Sequence, residues 1–180
     1  MTDRRNQILD AATSLFLEQG VSVPTAKIAK AAGVSNGTLF NVFPTKQALI
    51  DAIYTEAKIG MFANMRYCGE DPLTKVTLRA NWDGYMNWAN RYPERRRVMH
   101  LLLDAGLASA DAQAEVSAVV EPHAAWIYMG LDRGIIRGPS VSFIGQLVFF
   151  HIDLVINEQL DRQGENLAFE MLCNAIGLNP

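Results

Sequence analysis

The stretch from Pro24 to Lys46, PTAKIAKAAGVSNGTLFNVFPTK, decides the fold. Read at helical period, it predicts a short helix from Thr25 to Ala32, a turn at residues 33–35 and a second short helix from Asn36 to Val42. Two helices that cross steeply need a turn residue that accepts a positive φ, and Gly33 does so because it has no Cβ. The stretch is therefore predicted to form a helix-turn-helix.

The second helix of this stretch offers a surface suited to DNA. Its outward positions are short, polar or flat, and none is acidic. An acidic side chain would repel phosphate, and long side chains would keep the helix out of a major groove. We therefore interpret the stretch as a DNA-binding helix-turn-helix. The alternative is an ordinary corner between two core helices, which also needs a glycine and apolar neighbours.

A longer match favours the DNA-binding interpretation. The segment GVSNGTLFNVFPTKQAL, residues 33–49, resembles the signature of the TetR family of transcriptional regulators, in which a turn, a G-T-L-Y/F recognition helix, an aromatic residue and a lysine follow in this order. The match is specific over about residues 6–52. It implies an all-α protein of about nine helices, with residues 1–46 as a helix-turn-helix DNA-binding domain and residues 47–180 as a helical ligand-binding and dimerisation domain.

The resemblance and the chemistry of the side chains together give the DNA contacts. Asn36 and Asn41 suit adenine edges or phosphates, and Thr38 offers a methyl group that suits thymine. Phe40 stands where the family usually has Tyr, so a phosphate-binding hydroxyl is absent; a place in the core is the alternative for this residue. The predicted DNA-binding residues are Thr25, Lys27, Ser35, Asn36, Gly37, Thr38, Phe40, Asn41 and Lys46.

Charge is unevenly divided along the chain. The formal net charge of −3 argues by itself against a nucleic-acid binder. Residues 1–46, however, hold five basic and three acidic residues, and residues 47–180 hold eleven basic and sixteen acidic residues. This asymmetry is typical of a small DNA-binding domain attached to an acidic body. A polar start and the absence of an apolar run of roughly 18 residues predict a soluble, cytoplasmic protein without a membrane partner.

Apolar periodicity predicts the other helices of the chain. They are expected at about residues 3–19, 46–66, 72–91, 93–105, 109–134, 140–161 and 165–176. Arg4 and Arg5, at the start of the first helix, form either an arm that approaches phosphate or a solvated surface.

Aromatic and methionine side chains are concentrated in the middle helices. Flat rings and flexible thioethers make adaptable walls for an apolar or aromatic effector, although any helical core has a similar composition. His100 and His123 could orient a polar group of such a ligand or could be ordinary core or surface residues. The predicted ligand-binding residues are Met61, Met65, Trp82, Tyr85, Met86, Met99, His100, His123 and Trp126.

The helix predicted over residues 140–161 is apolar almost all round in its middle. One small chain cannot bury that many faces, so this helix and the last one are expected to form a four-helix bundle with a second copy of the chain. A two-fold dimer then meets a palindromic operator. The predicted interface residues are Phe143, Leu147, Phe150, Leu154, Phe169 and Leu172.

Enzymatic activity is not expected. The sequence contains no nucleophile elbow, zinc-protease motif, phosphate loop or dinucleotide fingerprint, and no cofactor or metal is predicted. Cys68 and Cys173 lie far apart without a C-x-x-C motif, which favours two reduced structural thiols over a redox switch.

The sequence therefore predicts a ligand-responsive transcriptional regulator, a repressor that binds a palindromic operator as a homodimer and is released by a small apolar or aromatic effector. The alternative is a helical dimer that binds a small molecule or a protein without specific binding to DNA.

Overall fold

The computed structural model of the chain describes residues 2–66 and 72–178, with side chains from Arg4 onward. Over these ranges the regular secondary structure is entirely helical, which confirms the all-α fold and the predicted number of helices. The helices are α1 (Thr2–Gln19), α2 (Thr25–Ala31), α3 (Asn36–Val42), α4 (Lys46–Asn64), α5 (Lys75–Arg91), α6 (Pro93–Asp104), α7 (Ala110–Asp132), α8 (Val141–Asn157) and α9 (Arg162–Ile176).

Local capping explains where the observed helix ends differ most from the predicted ones. The fifth helix begins at Lys75 and not at Pro72, because the Thr77 N–H donates to the Thr74 hydroxyl at 3.2 Å and caps the helix there. The loop predicted to end the fourth helix spans residues 68–72, and its residues 68–71, which include Cys68, lie outside the described residues.

The junction between α8 and α9 is a correction to the predicted boundaries. Asp161 does not end α8; its carboxylate accepts the Gly164 N–H at 2.8 Å and caps the start of α9. The helix before it has already ended at Asn157, and Gln159 lies in the left-handed region with a φ of 52°. Asp161 is therefore the N-terminal cap of α9, which begins at Arg162 and is three residues longer than predicted.

The chain divides into two compact units, and the first contains Met1–Gly60 with Ala89–Val116. In this unit α1 packs against α2 and α6, and α2 packs against α3. Ile28 and Leu39 of the predicted helix-turn-helix core are fully buried, together with Ile8 and Phe16 of α1. Thus α1 packs on α2, and α2 in turn packs on α3.

The second unit contains Met61–Trp88 with Ser117–Pro180. Here α8 packs against α9, and an aromatic core surrounds Trp82, whose ring meets the edge of Phe169 at 5.5 Å between centroids. The two units are groups of mutually packed residues, whereas the predicted division at residue 46 separates two functions. That functional division stays a prediction.

Three further observations concern metal sites, membrane-spanning helices and the cysteine thiol. In the described ranges, no group of three or more His, Cys, Asp or Glu side chains could hold a metal ion, and no helix is long and apolar enough to cross a membrane. Cys173 is a free, buried thiol whose pKa is raised by burial. A thiol that is buried and protonated is chemically inert, which supports its structural interpretation.

The turn glycine provides a test of the fold. Gly33 has a φ of +67°, and a Cβ added there would meet no atom within 4 Å, so Gly33→Ala is expected to destabilise the protein by about 1 kcal/mol through backbone strain alone. Gly37, four residues later inside α3, is the matched control, since Gly37→Ala should raise stability by up to about 1 kcal/mol. Urea unfolding of both variants measures the two effects; equal stability of Gly33→Ala and the parent would contradict the assignment of the turn.

Candidate functional site

The turn between α2 and α3 is fixed by backbone and side-chain hydrogen bonds. The Val34 N–H donates to the Ala29 carbonyl at 3.0 Å, which closes the end of α2 around Gly33. Ser35 caps α3, since its Oγ accepts the Thr38 N–H at 3.0 Å and lies 2.8 Å from the Thr38 hydroxyl. Ser35 and Thr38 therefore hold the first turn of α3 in addition to any contact with DNA.

The outward face of α3 is exposed and free of acidic groups. Asn36, Gly37 and Asn41 are exposed, and Phe40 is 39% exposed, while Leu39 on the opposite face is fully buried. Phe40 is therefore a surface residue, and the core alternative for it does not hold. A short helix with polar side chains on its free face has the shape and chemistry required to enter a major groove.

Basic and polar groups of α2 and α4 belong to the same unit as this face. Thr25 is half-buried and Lys27 is exposed, and the Lys27 ammonium donates to Gln19 Oε1 at 2.5 Å. The Lys46 ammonium donates to the Val23 carbonyl at 2.7 Å and so ties the start of α4 to the segment before α2. An ammonium has three N–H bonds, so Lys46 can still bind a phosphate. Sequence patterns do not predict the bond from Lys46 to Val23, because it joins residues 23 positions apart through a backbone oxygen.

The two arginines at the start of α1 have different surroundings. Arg4 is exposed. Arg5 forms an ion pair with Glu56 of α4, and its guanidinium lies 5.5 Å from the centre of the Phe43 ring. Arg5 is therefore part of the packing of α1 on α4 and is not a free arm.

The predicted ligand-binding residues are distributed over both units. Those in the second unit are largely packed in its interior, where Met61, Trp82, Tyr85 and Trp126 are at most 5% exposed, while Met65, Met86 and His123 are half-buried. Met99 and His100 lie on α6 in the first unit, and Met99 is 1% exposed.

Polar atoms among these residues are bonded to neighbouring side chains. The Tyr85 hydroxyl donates to Asp153 Oδ1 at 2.8 Å, and Trp82 Nε1 donates to Glu165 Oε1 at 3.1 Å. The His123 ring lies 4.8 Å from the Phe62 ring centre, and its Nδ1 donates to the Val119 carbonyl at 3.2 Å. Burial lowers the pKa of His123, so the neutral ring is favoured.

The predicted interface residues fall into two groups. Phe143, Phe150 and Leu154 of α8 are 52%, 69% and 47% exposed, and Leu147 is half-buried. The predicted place of Phe169 and Leu172 at the interface is corrected, because these residues are 5% and 0% exposed and belong to the core of the chain itself.

The exposed apolar residues of α9 are Leu167 and Met171, at 64% and 57%. They are one helical turn apart and lie on a different side from the buried positions. Helical phase was the signal that could have separated these two sets in the sequence.

Comparison with known proteins gives a consistent result. Residues 8–53 match the sequence model of the family described as bacterial regulatory proteins, tetR family. The HTH-type transcriptional repressor KstR2 of Rhodococcus jostii is 41% identical over 81 residues, which is 43% of this chain and 39% of that repressor. The chain thus matches less than half the length of this curated relative.

Solved structures match over nearly the whole chain. A TetR family transcription regulator from Marinobacter aquaeolei has a TM-score of 0.82 at 18% identity and covers 97% of this chain and 96% of its own. AibR, solved in complex with isovaleryl coenzyme A and operator DNA, has a TM-score of 0.69 at 17% identity and covers 98% and 100%. At this identity the likeness shows the fold. The matching family, KstR2 and the Marinobacter protein are described as regulators and not as enzymes, in agreement with the sequence.

His123 gives a prediction about pH. Its folded pKa lies below the ordinary value of 6.5, so below that pH the unfolded chain binds more protons and the free energy of unfolding falls. The variant His123→Gln lacks this contribution. We therefore expect the parent to lose more stability than the variant between about pH 7.5 and about pH 5.5 in urea unfolding. Equal losses in the two proteins would show that the His123 ring titrates alike in the folded and unfolded states.

Proposed function

We propose that this chain, whose residues 8–53 carry the DNA-binding domain of the TetR family of transcriptional regulators, is a repressor that binds a palindromic operator as a homodimer and is released by a small apolar or aromatic effector. The observation that carries the proposal is the exposed, acid-free face of α3, with Asn36 and Asn41 on it. A regulator of this kind acts in the cytoplasm, where a bacterial chromosome lies.

The DNA contacts divide into two kinds. Asn36, Thr38, Phe40 and Asn41 are proposed to face base edges, where amides pair with adenine and methyl or aromatic groups contact thymine. Thr25, Lys27 and Lys46 are proposed to bind phosphates, with Ser35 and Gly37 allowing a close approach of the helix start. The net positive charge of residues 1–46 supports this arrangement.

Selection of binding sequences from random duplex DNA by the purified chain tests the proposal. A palindromic motif would support both the regulator and the two-fold dimer. No enrichment at low salt, with the chain folded, would favour a helical small-molecule or protein-binding module without specific DNA binding.

Substitution of Lys46 and Asn41 tests the proposed division into phosphate contacts and base contacts. Lys46→Ala should weaken binding to every duplex nearly equally and lower the slope of log affinity against log salt by about one, because one phosphate contact is lost. Asn41→Ala should weaken binding unequally across operator variants, with a loss of about 1–3 kcal/mol at the base it reads. Since Lys46 also bonds Val23, urea unfolding of the variant separates lost stability from lost contact. Identical behaviour of the two variants would contradict the assignment.

The homodimer is proposed to form through α8 and α9. Phe143, Phe150 and Leu154 of α8 and Leu167 and Met171 of α9 expose large apolar side chains, which are costly to leave in water on a monomer. The two helices pack against each other, so a second copy can complete a four-helix bundle with an isologous contact. Phe169 and Leu172, which are buried in the core of the chain, are not part of the proposed contact surface.

A charge at the centre of this surface provides the test. Phe150 is 69% exposed, so Phe150→Glu should leave the fold of one chain intact and convert the dimer to monomers that lose operator binding. Ser142→Glu, at an exposed polar position of the same helix, is the control and should remain dimeric. Sedimentation at several concentrations measures both variants. A persistent Phe150→Glu dimer would rule out this interface.

The effector is proposed to bind the helical region after residue 46. The aromatic and thioether side chains of Met61, Trp82, Tyr85, Met86 and Trp126, with His123, have the chemistry for an apolar or aromatic molecule. Met65 of the same unit belongs to the proposed set, and Met99 and His100 of α6 stay predictions from the sequence. AibR, which shares the fold, was solved with both a coenzyme A thioester and operator DNA, which supports a ligand-responsive mechanism.

Effector and operator are proposed to oppose each other through α4. This helix contributes residues to both units, and Lys46 at its start is bonded to the segment before α2. By linkage, an effector that weakens operator binding must itself bind less tightly to the DNA-bound protein, by the same factor.

A further inference from the structure

A cleft of about 410 Å³ lies in the first unit and is lined by α1, α4 and the first turns of α7. None of the proposed DNA-binding or effector-binding residues lines it. Three alanines and Ile59 form the apolar part of its walls. Charged side chains form much of the rest. Five of the ten lining residues are ionisable, and four of these are acidic.

The negative charge of the cleft is only partly compensated. Among the side chains that the structure describes, Arg5 is the single basic one that lines the cleft, and it pairs with Glu56. Asp51 Oδ1 accepts hydrogen bonds from Gln47 Nε2 at 2.9 Å and from the Ser109 N–H at 3.0 Å, both of which are neutral donors. The carboxylate charge of Asp51 therefore remains in the cleft.

Asp111 and Glu115 supply the remaining two carboxylates. They are one turn apart on α7, both are exposed, and neither has an ion-pair partner within the described ranges. Like charges four residues apart on a helix repel each other. A bound cation would relieve this repulsion and would be attracted by every acidic group of the cleft.

Thr55 gives an independent indication of a ligand. It lines the same cleft, is 6% exposed, and its hydroxyl is buried without a hydrogen-bond partner in the part of the chain that the structure describes. Buried hydroxyls are almost always bonded, so the unpartnered hydroxyl of this lining residue is a candidate partner for a ligand atom.

We infer that this cleft binds a small aliphatic diamine. An ammonium group at Asp111 and Glu115 and a second one toward Asp51 would offset most of the excess negative charge, and one N–H would donate to the Thr55 hydroxyl. The methylene chain between them would lie on the alanines and Ile59. A bare metal ion is the wrong ligand, because no acidic group in the described ranges forms a metal-binding cluster and an ion would leave the apolar part of the cleft empty.

Isothermal titration calorimetry of the full chain with 1,4-diaminobutane, without DNA, tests the inference. We expect one saturable site per chain. The double variant Asp111→Asn/Glu115→Gln should weaken binding about tenfold or more, and Thr55→Val should weaken it about threefold. The matched control is Glu121→Gln/Asp132→Asn, which removes two exposed charges from α7 outside the cleft and should leave the affinity unchanged.

The outcomes separate a site from a diffuse counterion effect. Site binding is supported if magnesium chloride at the same concentration does not displace the diamine and only the cleft variants weaken binding. The inference is overturned if no saturable binding occurs or if the control variant weakens binding as much as the cleft variants. It is also overturned if magnesium chloride at the same concentration displaces the diamine. Circular dichroism and urea unfolding confirm that each variant is folded. The measurement involves no operator, so its failure is distinct from failure of the proposed DNA binding.

Discussion

Two helices of seven residues each cannot persist in water by themselves, because nucleation costs more than so few hydrogen bonds return. The recognition surface therefore depends on burial of Ile28 and Leu39, which are fully enclosed in the first unit. Ile8 and Phe16 of α1 are buried in the same unit, in which α1 packs against α2 and α2 packs against α3. Every proposed base contact on α3 takes its position from this small shared core.

Polar bonds connect that core to the helix that follows. Lys46 binds the Val23 carbonyl, and Asp51, one turn and a half further along α4, binds the N–H of Ser109 just before α7. Gln47 adds a bond to the Leu107 carbonyl at 2.8 Å. The first part of α4 is thus held at both sides within the first unit. Any displacement of this part of α4 would have to break or shift these bonds.

The last two helices show how one apolar sequence serves two purposes. α8 buries Ile144, Ile152 and Val155 within the chain and leaves Phe143, Phe150 and Leu154 in solvent. His151, also on α8, binds the Ala168 carbonyl of α9 at 2.8 Å and so joins the two helices inside the second unit. The surface proposed for dimerisation is therefore built on a pair of helices already fixed to each other.

The sequence alone determined the nine helices of the described residues, the turn at Gly33 and the exposed face of α3, because helical period, turn chemistry and capping act between residues that are close along the chain. It overextended α8 and placed Phe169 and Leu172 at an interface, since periodicity identifies an apolar residue but not which neighbour covers it. Tertiary structure alone decided that Lys46 bonds Val23, that Arg5 pairs with Glu56, and that Thr55 lines a cleft with Asp111 and Glu115. These groups are far apart in sequence, and only the packing of α1, α4 and α7 brings them together.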